Sequence, residues 1–331
     1  MNQGILSVIG GTPLVRLDKI FDDNHFNLFA KLEGFNPGGS TKDRPAINII
    51  KHGLQNAEIT SESTIIESSS GNMGIGLAQV CSYLGLRFIC VVDPKTTRQN
   101  IRLLETYGAE VDMVMPEDLD GRDYLQARID RVRELKNSIK YSFWPNQYAN
   151  ESNSLAHHQT MHEIATQLDG KVDYLFCATS TCGTMRGCVE YIRDNDLPTK
   201  VYAVDAVGSV IFGSRKATRL IPGHGAAVTP RLFQDDLADK AIHITDLECV
   251  IGCRRLVGTE AILAGGSSGA VFMAMDQVRS ELRANSNCVL IFPDRGERYL
   301  DTIYSDEWVQ EHFGDVAELW ENPDEALATL G

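Results

Sequence analysis

Short apolar runs alternate with segments of helical periodicity through most of this 331-residue chain, and this alternation restricts its fold more than any other feature. Runs such as RFICVVDP, DYLFCA and CVLIFPD are typical of buried strands, and helical segments separate them. Strands that alternate with helices form parallel sheets covered on both faces. The pattern occurs twice without a low-complexity linker, which predicts an α/β protein with two closely packed, doubly wound domains.

Composition argues against several classes of partner. The formal net charge is -14 and no run is basic, so nucleic acid is not an expected partner. No segment approaches the roughly 18 apolar residues of a membrane span, and the N-terminal segment lacks the features of a signal peptide. The eight cysteines form no paired CxxC frame, which favours a reduced, cytoplasmic protein. Cys249 and Cys253 have helical spacing and are predicted to face the core rather than to hold a metal.

The stretch PGGSTKDRPA, residues 37–46, places a lysine behind two glycines and two hydroxyl side chains. Ser40 and Thr41 are predicted to start a helix that continues through residues 47–50. Lys42 would then lie near a helix N-terminus, where a cation is disfavoured and a neutral amine is easier to reach. A neutral, positioned amine can form a Schiff base. A solvated lysine on a surface turn is the alternative interpretation.

Three polar loops follow predicted strands, at the edge where open parallel sheets bind ligands. The first loop could bind a carboxylate through its hydroxyls, an amide and helix N–H groups. The second could bind a phosphate through hydroxyls and N–H groups, although it lacks the GxxxxGK[ST] motif of a P-loop. The third is rich in glycine and allows close approach of a flat ligand. Each loop alone is explained equally well as a strand-to-helix turn, but with a reactive lysine they are the parts that hold pyridoxal phosphate. The candidate residues are Ser69, Ser70, Gly71 and Asn72; Ser180, Thr181, Cys182, Gly183 and Thr184; and Ser267.

These segments resemble those of the fold-type II pyridoxal-phosphate enzymes of the cysteine synthase/cystathionine β-synthase family. The matching stretches, from about residue 5 to about residue 308, are GGTPLVRL, KLEGFNPGGSTKDRPA, ESSSGNMGIGLA, STCGT, GGSSGA and PDRGERYL, in the family's order. The resemblance implies two open doubly wound domains of the tryptophan synthase β type. A smaller domain at 35–145 would move on substrate binding, and a larger one, 1–34 with 146–331, would hold the cofactor phosphate. A homodimer is also expected.

The resemblance further implies a role for each candidate. Lys42 would be the catalytic residue, which holds pyridoxal phosphate covalently and moves the substrate Cα proton. Asn72 would bond the phenolic oxygen, residues 180–184 would hold the phosphate, and residues 69–72 would bind the substrate carboxylate. Only a backbone contact is expected from the third position of the phosphate loop, where the family often has glycine. Ser267 would meet the pyridine nitrogen; a serine there makes the ring a weaker electron sink, which suits β-elimination.

Four further stretches resemble a narrower group within the family: NQYANESN, VDAVGSVIFG, PGHGA and YLxxRIxxVxEL. These enzymes join O-phospho-L-serine to L-glutamate through an aminoacrylate and give a precursor of L-2,3-diaminopropionate for siderophores or antibiotics. Two anionic substrates require local cations or donors, and Arg128 and Tyr148 are the candidates for the phosphate leaving group or the glutamate. Alternatively, Arg128 lies on the solvated face of a helix that starts near Arg122, and Tyr148 packs in the core.

Three other functions remain open from the sequence. A cysteine synthase would use sulfide with O-acetylserine or O-phosphoserine. A cofactor-binding regulatory protein without turnover is disfavoured by the intact Lys42, Asn72 and Ser267. A nucleotide-binding α/β protein is disfavoured because no GxGxxG follows a strand. His158 and His162 have i,i+4 spacing without an HExxH motif, so no metal is expected.

Overall fold

The computed structural model describes residues 4–21, 25–119, 123–213 and 215–321. Within these ranges the strands form a six-stranded and a four-stranded sheet, and helices cover both faces of each. No helix of the described ranges is long and apolar enough to cross a membrane. The strands are β1 (Leu14–Arg16), β2 (Asn27–Leu32), β3 (Thr64–Ser68), β4 (Arg87–Val92), β5 (Glu110–Met113), β6 (Ser142–Phe143), β7 (Tyr174–Ala178), β8 (Lys200–Ala206), β9 (Lys240–Ile244) and β10 (Asn287–Phe292).

The larger sheet has the strand order β1-β2-β10-β7-β8-β9, and its strands are parallel except at one edge. There β1 runs antiparallel to β2, with Val15 opposite Ala30. The connection between these two strands is too short for the crossover that a parallel pair needs. One face of β2 points into the core, because Leu28 and Ala30 are buried in the cluster formed with the two helices that follow β9, and Leu32 packs against it.

Helices cover the larger sheet from both sides. The cluster on one face contains α8 and α9, and the cluster on the other contains α6 and α7. Cys249 and Cys253 of α8 are buried in the first cluster, as the helical spacing predicts. The helices are α1 (Asp43–Gln55), α2 (Asn72–Leu84), α3 (Arg98–Thr106), α4 (Tyr124–Ser138), α5 (Glu151–Leu155), α6 (His158–Gln167), α7 (Gly183–Asp194), α8 (Asp246–Glu260), α9 (Gly266–Val278), α10 (Asp306–Phe313) and α11 (Glu318–Glu321).

The smaller sheet, in the order β5-β4-β3-β6, is parallel throughout and lies between α1 and α2 on one face and α4 on the other. Neighbouring residues of β3 point to opposite faces: Ile65 packs with α1 and α2, whereas Ile66 packs with α4. Both faces of the sheet therefore receive an apolar residue from this strand, which explains why Ile65 and Ile66 stand next to each other in the sequence.

The segment 142–153 contains two short elements. The strand β6 pairs with the start of β3, and α5 begins where the Asn150 side chain accepts a hydrogen bond from the N–H of Ser152 at 2.9 Å. The helix expected to start near Arg122 begins at Tyr124; Arg122 itself, like the last ten residues of the chain, lies outside the described residues.

A buried network of four charged residues fixes the start of α1 against the larger sheet. The Arg44 guanidinium pairs with Glu33 (Nε–Oε2 2.6 Å) and with Glu163 of α6 (Nη2–Oε2 2.8 Å), and Lys31 of β2 pairs with Glu163 (2.7 Å). Mutually paired and hydrogen-bonded charges are the form in which ionised groups are tolerated in a protein interior. Because Arg44 is two residues after Lys42, the network also holds the lysine loop in place.

Candidate active site

Lys42 lies immediately before α1, and its backbone N–H donates to the Ser40 hydroxyl at 3.2 Å. Burial lowers the pKa of Lys42, while the Cys177 and Cys182 thiols and the Asp294 carboxyl act in the opposite direction. Within the part of the chain that the structure describes, the Lys42 amine has no hydrogen bond or ion pair. The structure thus presents a half-buried amine whose pKa is lowered by burial, and the solvated-turn interpretation is wrong.

Helices α1 and α2 cross beside Lys42 because Gly76 allows close approach. A Cβ at Gly76 would lie 3.2 Å from both the Lys42 carbonyl oxygen and the Ala46 Cβ. Because the first turns of the two helices are in contact, the loop that precedes α2 lies beside the lysine.

The loop between β3 and α2 contains Ser69 to Gly71, and Asn72 is the first residue of the helix. The Ser69 hydroxyl accepts a hydrogen bond from the N–H of Gly74 at 2.9 Å, so in this structure it caps the helix. The Ser70 carbonyl accepts one from the Asn100 amide at 3.0 Å. Binding of a substrate carboxylate by this loop remains a prediction.

The Asn72 amide is held from both ends by the segment that follows β10. Its Nδ2 donates to the Asp294 carboxylate at 2.8 Å, and its Oδ1 accepts from the Arg298 guanidinium. These two partners define which end of the amide is the oxygen and which is the nitrogen. One hydrogen of Nδ2 remains available for an acceptor in the site.

The loop between β7 and α7 leads directly into a helix N-terminus. Cys182 ends the loop with a φ of 63°, in the left-handed region that glycine adopts most easily, and Gly183 begins the helix. A side chain at Gly183 would collide with Asn153, whose Oδ1 would lie 2.4 Å from its Cβ. The Gly183 N–H donates to the Thr181 hydroxyl at 3.3 Å, and binding of a phosphate at this helix start remains a prediction.

Side chains around this loop fix its two threonines. The Thr181 hydroxyl accepts from the Asn153 amide at 3.3 Å, and the Thr184 hydroxyl is 3.2 Å from Nε2 of His157. Burial lowers the pKa of His157 well below its usual value, and the nearby Lys42 lowers it further. The histidine is therefore neutral and its contribution to the loop is a hydrogen bond rather than a charge.

The third predicted loop leads into α9, whose first turn contains Ser267. The N–H of Gly265 donates to the Asp294 carbonyl at 3.2 Å, which ties this loop to the end of β10. The lysine loop is tied to the same place, because the N–H of Thr41 donates to the Pro293 carbonyl at 2.7 Å. The structure thus brings the Lys42, Asn72 and Ser267 loops together around one segment.

That segment, residues 293–299, contains a site residue that the sequence patterns did not predict, Asp294. Asp294 is buried; its Oδ2 accepts from the Tyr299 hydroxyl at 2.6 Å as well as from Asn72. Burial raises the pKa of Asp294, and these two donors act in the opposite direction. The signal in the sequence was an acidic residue immediately after a buried apolar run, where the strand ends at the ligand-binding edge.

Several buried polar atoms of these loops have no hydrogen-bond partner among the described residues. Such atoms are normally paired in folded proteins, so a set of them in these loops indicates the place of a polar ligand. Together with the half-buried Lys42 amine, they fit pyridoxal phosphate. The atoms are Oγ1 of Thr41, Oδ1 of Asn153, Oγ of Ser268 and Oδ1 of Asp294.

Arg128 and Tyr148 belong to a second polar cluster. The Arg128 side chain is only 12% exposed and its Nε lies 3.2 Å from the Asp93 carboxylate, so the solvated-face interpretation is wrong. Its Nη1 is buried and has no hydrogen-bond partner in the described ranges. Burial raises the pKa of Tyr148; the charges of Arg128 and Arg219 lower it, and that of Glu67 raises it. Binding of an anionic substrate group by Arg128 or Tyr148 remains a prediction.

Residues 5–294 match the family model for pyridoxal-phosphate dependent enzymes. The chain belongs to this family. The predicted cofactor and the family identified from the loop sequences are thereby confirmed, and the enzyme's two sheets are those of fold-type II members.

One curated relative of this enzyme is N-(2-amino-2-carboxyethyl)-L-glutamate synthase from Ralstonia nicotianae, with 46% identity over 93% of this chain and 91% of the relative. Among solved structures, cysteine synthase from Entamoeba histolytica has a TM-score of 0.89 at 29% identity, covering 99% of this chain and 96% of that one. The O-acetylserine dependent cystathionine β-synthase from Helicobacter pylori has a TM-score of 0.85 at 30% identity, covering 92% and 99%.

Proposed function

We propose that this enzyme replaces the phosphate of O-phospho-L-serine by the amine of L-glutamate and forms N-(2-amino-2-carboxyethyl)-L-glutamate and phosphate. The observation that carries the proposal is the relative whose name gives this product, which is 46% identical over almost the whole chain. The product would be a precursor of L-2,3-diaminopropionate for a siderophore or an antibiotic. Pyridoxal phosphate, when bound, supplies the electron sink that makes the substrate Cα proton acidic and allows the β-substituent to leave.

Lys42 is assigned both covalent attachment of the cofactor and transfer of the Cα proton. Burial favours the neutral amine, which is the form that acts as a nucleophile and as a base. The segment 180–184 and the N-terminus of α7 would hold the cofactor phosphate, Asn72 would donate to the phenolic oxygen, and Ser267 would meet the ring nitrogen. The loop at 69–72 would bind the α-carboxylate of the substrate.

Arg128 and Tyr148 are assigned to the anionic groups of the two substrates. An enzyme with a net charge of -14 does not attract phosphoserine or glutamate by its overall field, so local donors have to do so. The Arg128 guanidinium supports this assignment because it is largely buried and its charge acts on Tyr148. Its Nε lies next to the Asp93 carboxylate, and its Nη1 has no hydrogen-bond partner among the described residues. The planar guanidinium can donate two parallel hydrogen bonds to a phosphate or to a carboxylate.

We also infer a division into a smaller domain at 35–145 and a larger one formed by 1–34 and 146–331. The strands of the smaller sheet all fall between residues 64 and 143, which supports this division. Movement of the smaller domain onto bound substrate would exclude water from the reacting atoms. A homodimer in the cytoplasm is part of the same proposal.

The experiment that tests this function is identification of the product. The purified enzyme, loaded with pyridoxal phosphate, is incubated with O-phospho-L-serine and either L-glutamate or sulfide, and phosphate and amino acids are measured by a colorimetric assay and mass spectrometry. Formation of the glutamate adduct in equal amount to phosphate supports the proposal. Cysteine formed with sulfide, without any glutamate adduct, would show that the enzyme is a cysteine synthase; O-acetyl-L-serine in place of phosphoserine identifies the leaving group.

A further inference from the structure

Asp294 touches three of the loops that surround Lys42. Its Oδ2 accepts from the Asn72 amide at 2.8 Å and from the Tyr299 hydroxyl at 2.6 Å. Its carbonyl accepts from the N–H of Gly265, and its backbone pairs with Ser40 in an isolated β-bridge. The side chain is 4% exposed, so these contacts are made in a dry environment.

The position next to this carboxylate has no room for a side chain. A Cβ on Gly265 would lie 2.0 Å from Oδ1 of Asp294, and that oxygen has no hydrogen-bond partner within the described ranges. One oxygen of the carboxylate thus packs against the backbone of Gly265, and the other is hydrogen-bonded to Asn72. Such confinement is typical of a group that holds other functional groups in position.

We propose that Asp294 is a positioning residue that sets the orientation of the Asn72 amide toward the cofactor. A carboxylate accepts hydrogen bonds only, so it selects the orientation in which Nδ2 of Asn72 points toward it and the second hydrogen of Nδ2 remains available. Arg298 supports the same orientation, because it donates to Oδ1 of Asn72 and to the carbonyl of Gly38 in the lysine loop.

The proposal rests on the binding of pyridoxal phosphate and not on the choice of glutamate as acceptor. It concerns the resting enzyme before any substrate is present. Its test therefore uses cofactor binding and the cofactor's absorption spectrum, which are independent of the proposed reaction. A failure of the proposed function would leave this test unaffected.

The experiment is a double-mutant cycle with Asp294→Asn, Asn72→Ala and the combined variant. Asparagine has the shape of aspartate but no negative charge, and it offers a donor as well as an acceptor to Asn72. Cofactor-free protein is titrated with pyridoxal phosphate to measure Kd, and the absorption maximum of the loaded protein is recorded. We expect Asp294→Asn to weaken cofactor binding about tenfold and to shift the absorption maximum in the presence of Asn72. With Asn72→Ala already present, we expect less than a twofold further change.

An equal loss in both backgrounds, or an unchanged Kd and spectrum, would overturn the proposal. Asp276→Asn is the matched control, because Asp276 is another buried carboxylate. It lies in α9 and forms an ion pair with Arg255 of α8, away from these loops. That variant should leave the absorption maximum in place. If Asp294→Asn does not fold, a crystal structure of the loaded wild-type enzyme decides. An Asn72 Nδ2 that contacts both Asp294 and the cofactor supports the proposal, and an amide turned away from Asp294 overturns it.

Discussion

Burial is the main cause of the lowered pKa of Lys42. Lys51 offers a comparison, because it lies in the helix that begins directly after Lys42 but is exposed to solvent. The two lysines have the same side chain and differ in their surroundings. A reactive role for Lys42 and not for Lys51 is therefore expected from what packs around Lys42.

Lys42→Ala should abolish both turnover and the visible absorption band of the bound cofactor while leaving the fold intact. The substitution removes the only group assigned to covalent attachment, and the buried ion network still holds the start of α1. Absorption spectroscopy, an activity assay and thermal unfolding measure the three quantities. Lys51→Ala is the control and should behave as wild type; an active Lys42→Ala enzyme would contradict the assignment.

Cys182 has a left-handed backbone conformation that costs a residue with a side chain about 1–2 kcal/mol. Cys182→Gly should therefore be more stable than Cys182→Ala by about 1 kcal/mol. At Cys188, in the interior of α7, the glycine variant should instead be less stable than the alanine variant by about 1 kcal/mol, because glycine is a poor helix former. Urea unfolding of the four variants measures both differences, and alanine being the more stable at both positions would contradict the argument.

Arg128→Ala should raise KM for the anionic substrates about tenfold or more without changing cofactor content. The reason is that the guanidinium donates to a charged group, and such hydrogen bonds contribute about 1.5–3 kcal/mol. Steady-state kinetics and the cofactor absorption at fixed protein concentration are the measurements. Arg133→Ala is the matched control, since that side chain is on the same helix and 58% exposed; equal kinetics in both variants would remove Arg128 from the site.

At the scale of the elements, the end of β3 contains a buried carboxyl group, Glu67, close to the loop at 69–71. Glu67 accepts hydrogen bonds from Nε1 of Trp144 at 3.0 Å and from the N–H groups of Ser68 and Gln147. Burial nevertheless raises the pKa of Glu67 to about 7. The folded protein therefore holds a proton at Glu67 under conditions in which the unfolded chain, with a pKa near 4.5, has released it.

The contribution of Glu67 to the free energy of unfolding should fall as pH rises from about 4.5 to about 7, because the folded state binds the extra proton over this range. The total change is about 3 kcal/mol. Glu67→Gln removes it, so urea unfolding at pH 5 and pH 8 should show the variant gaining stability relative to wild type at the higher pH. Glu62→Gln, at an exposed position nearby, should show no such gain. A difference between Glu67→Gln and wild type that is independent of pH would contradict the shift.

The helices and strands that surround the site could be predicted from the sequence because their patterns are local. The apolar run before Ser69, the helix after Lys42 and the strand before Ser180 all follow from periodicity and turn residues within a few positions. The strand β6 could not be predicted, because two residues have no periodicity and it forms only by pairing with β3. Likewise, α5 has a single turn and depends on its Asn150 cap.

The contacts between distant segments could not be predicted from local patterns. Asn72 and Asp294 are 222 positions apart, and Arg44 and Glu163 are 119 apart. Their pairing depends on which strand ends the topology brings together. The family resemblance supplied the residues of the cofactor loops but not the groups behind them, so Asp294, Arg298 and His157 became visible only in the structure.

At the scale of the whole molecule, the enzyme combines a net charge of -14 with two places that we propose for anionic groups. The start of α7 would use helix N–H groups and threonine hydroxyls, whereas Arg128 would use its guanidinium group. Burial strengthens such short-range hydrogen bonds and charges over the distant field.

The measurement that tests the proposed function most directly is a sequential-mixing absorption experiment on the cofactor-loaded enzyme. O-phospho-L-serine is added first, and L-glutamate or sulfide is then added in separate cuvettes. We expect phosphoserine to shift the cofactor band to longer wavelength and glutamate to restore the resting spectrum. If sulfide restores it and glutamate does not, the enzyme is a cysteine synthase; if phosphoserine leaves the spectrum unchanged, the proposed first substrate is wrong.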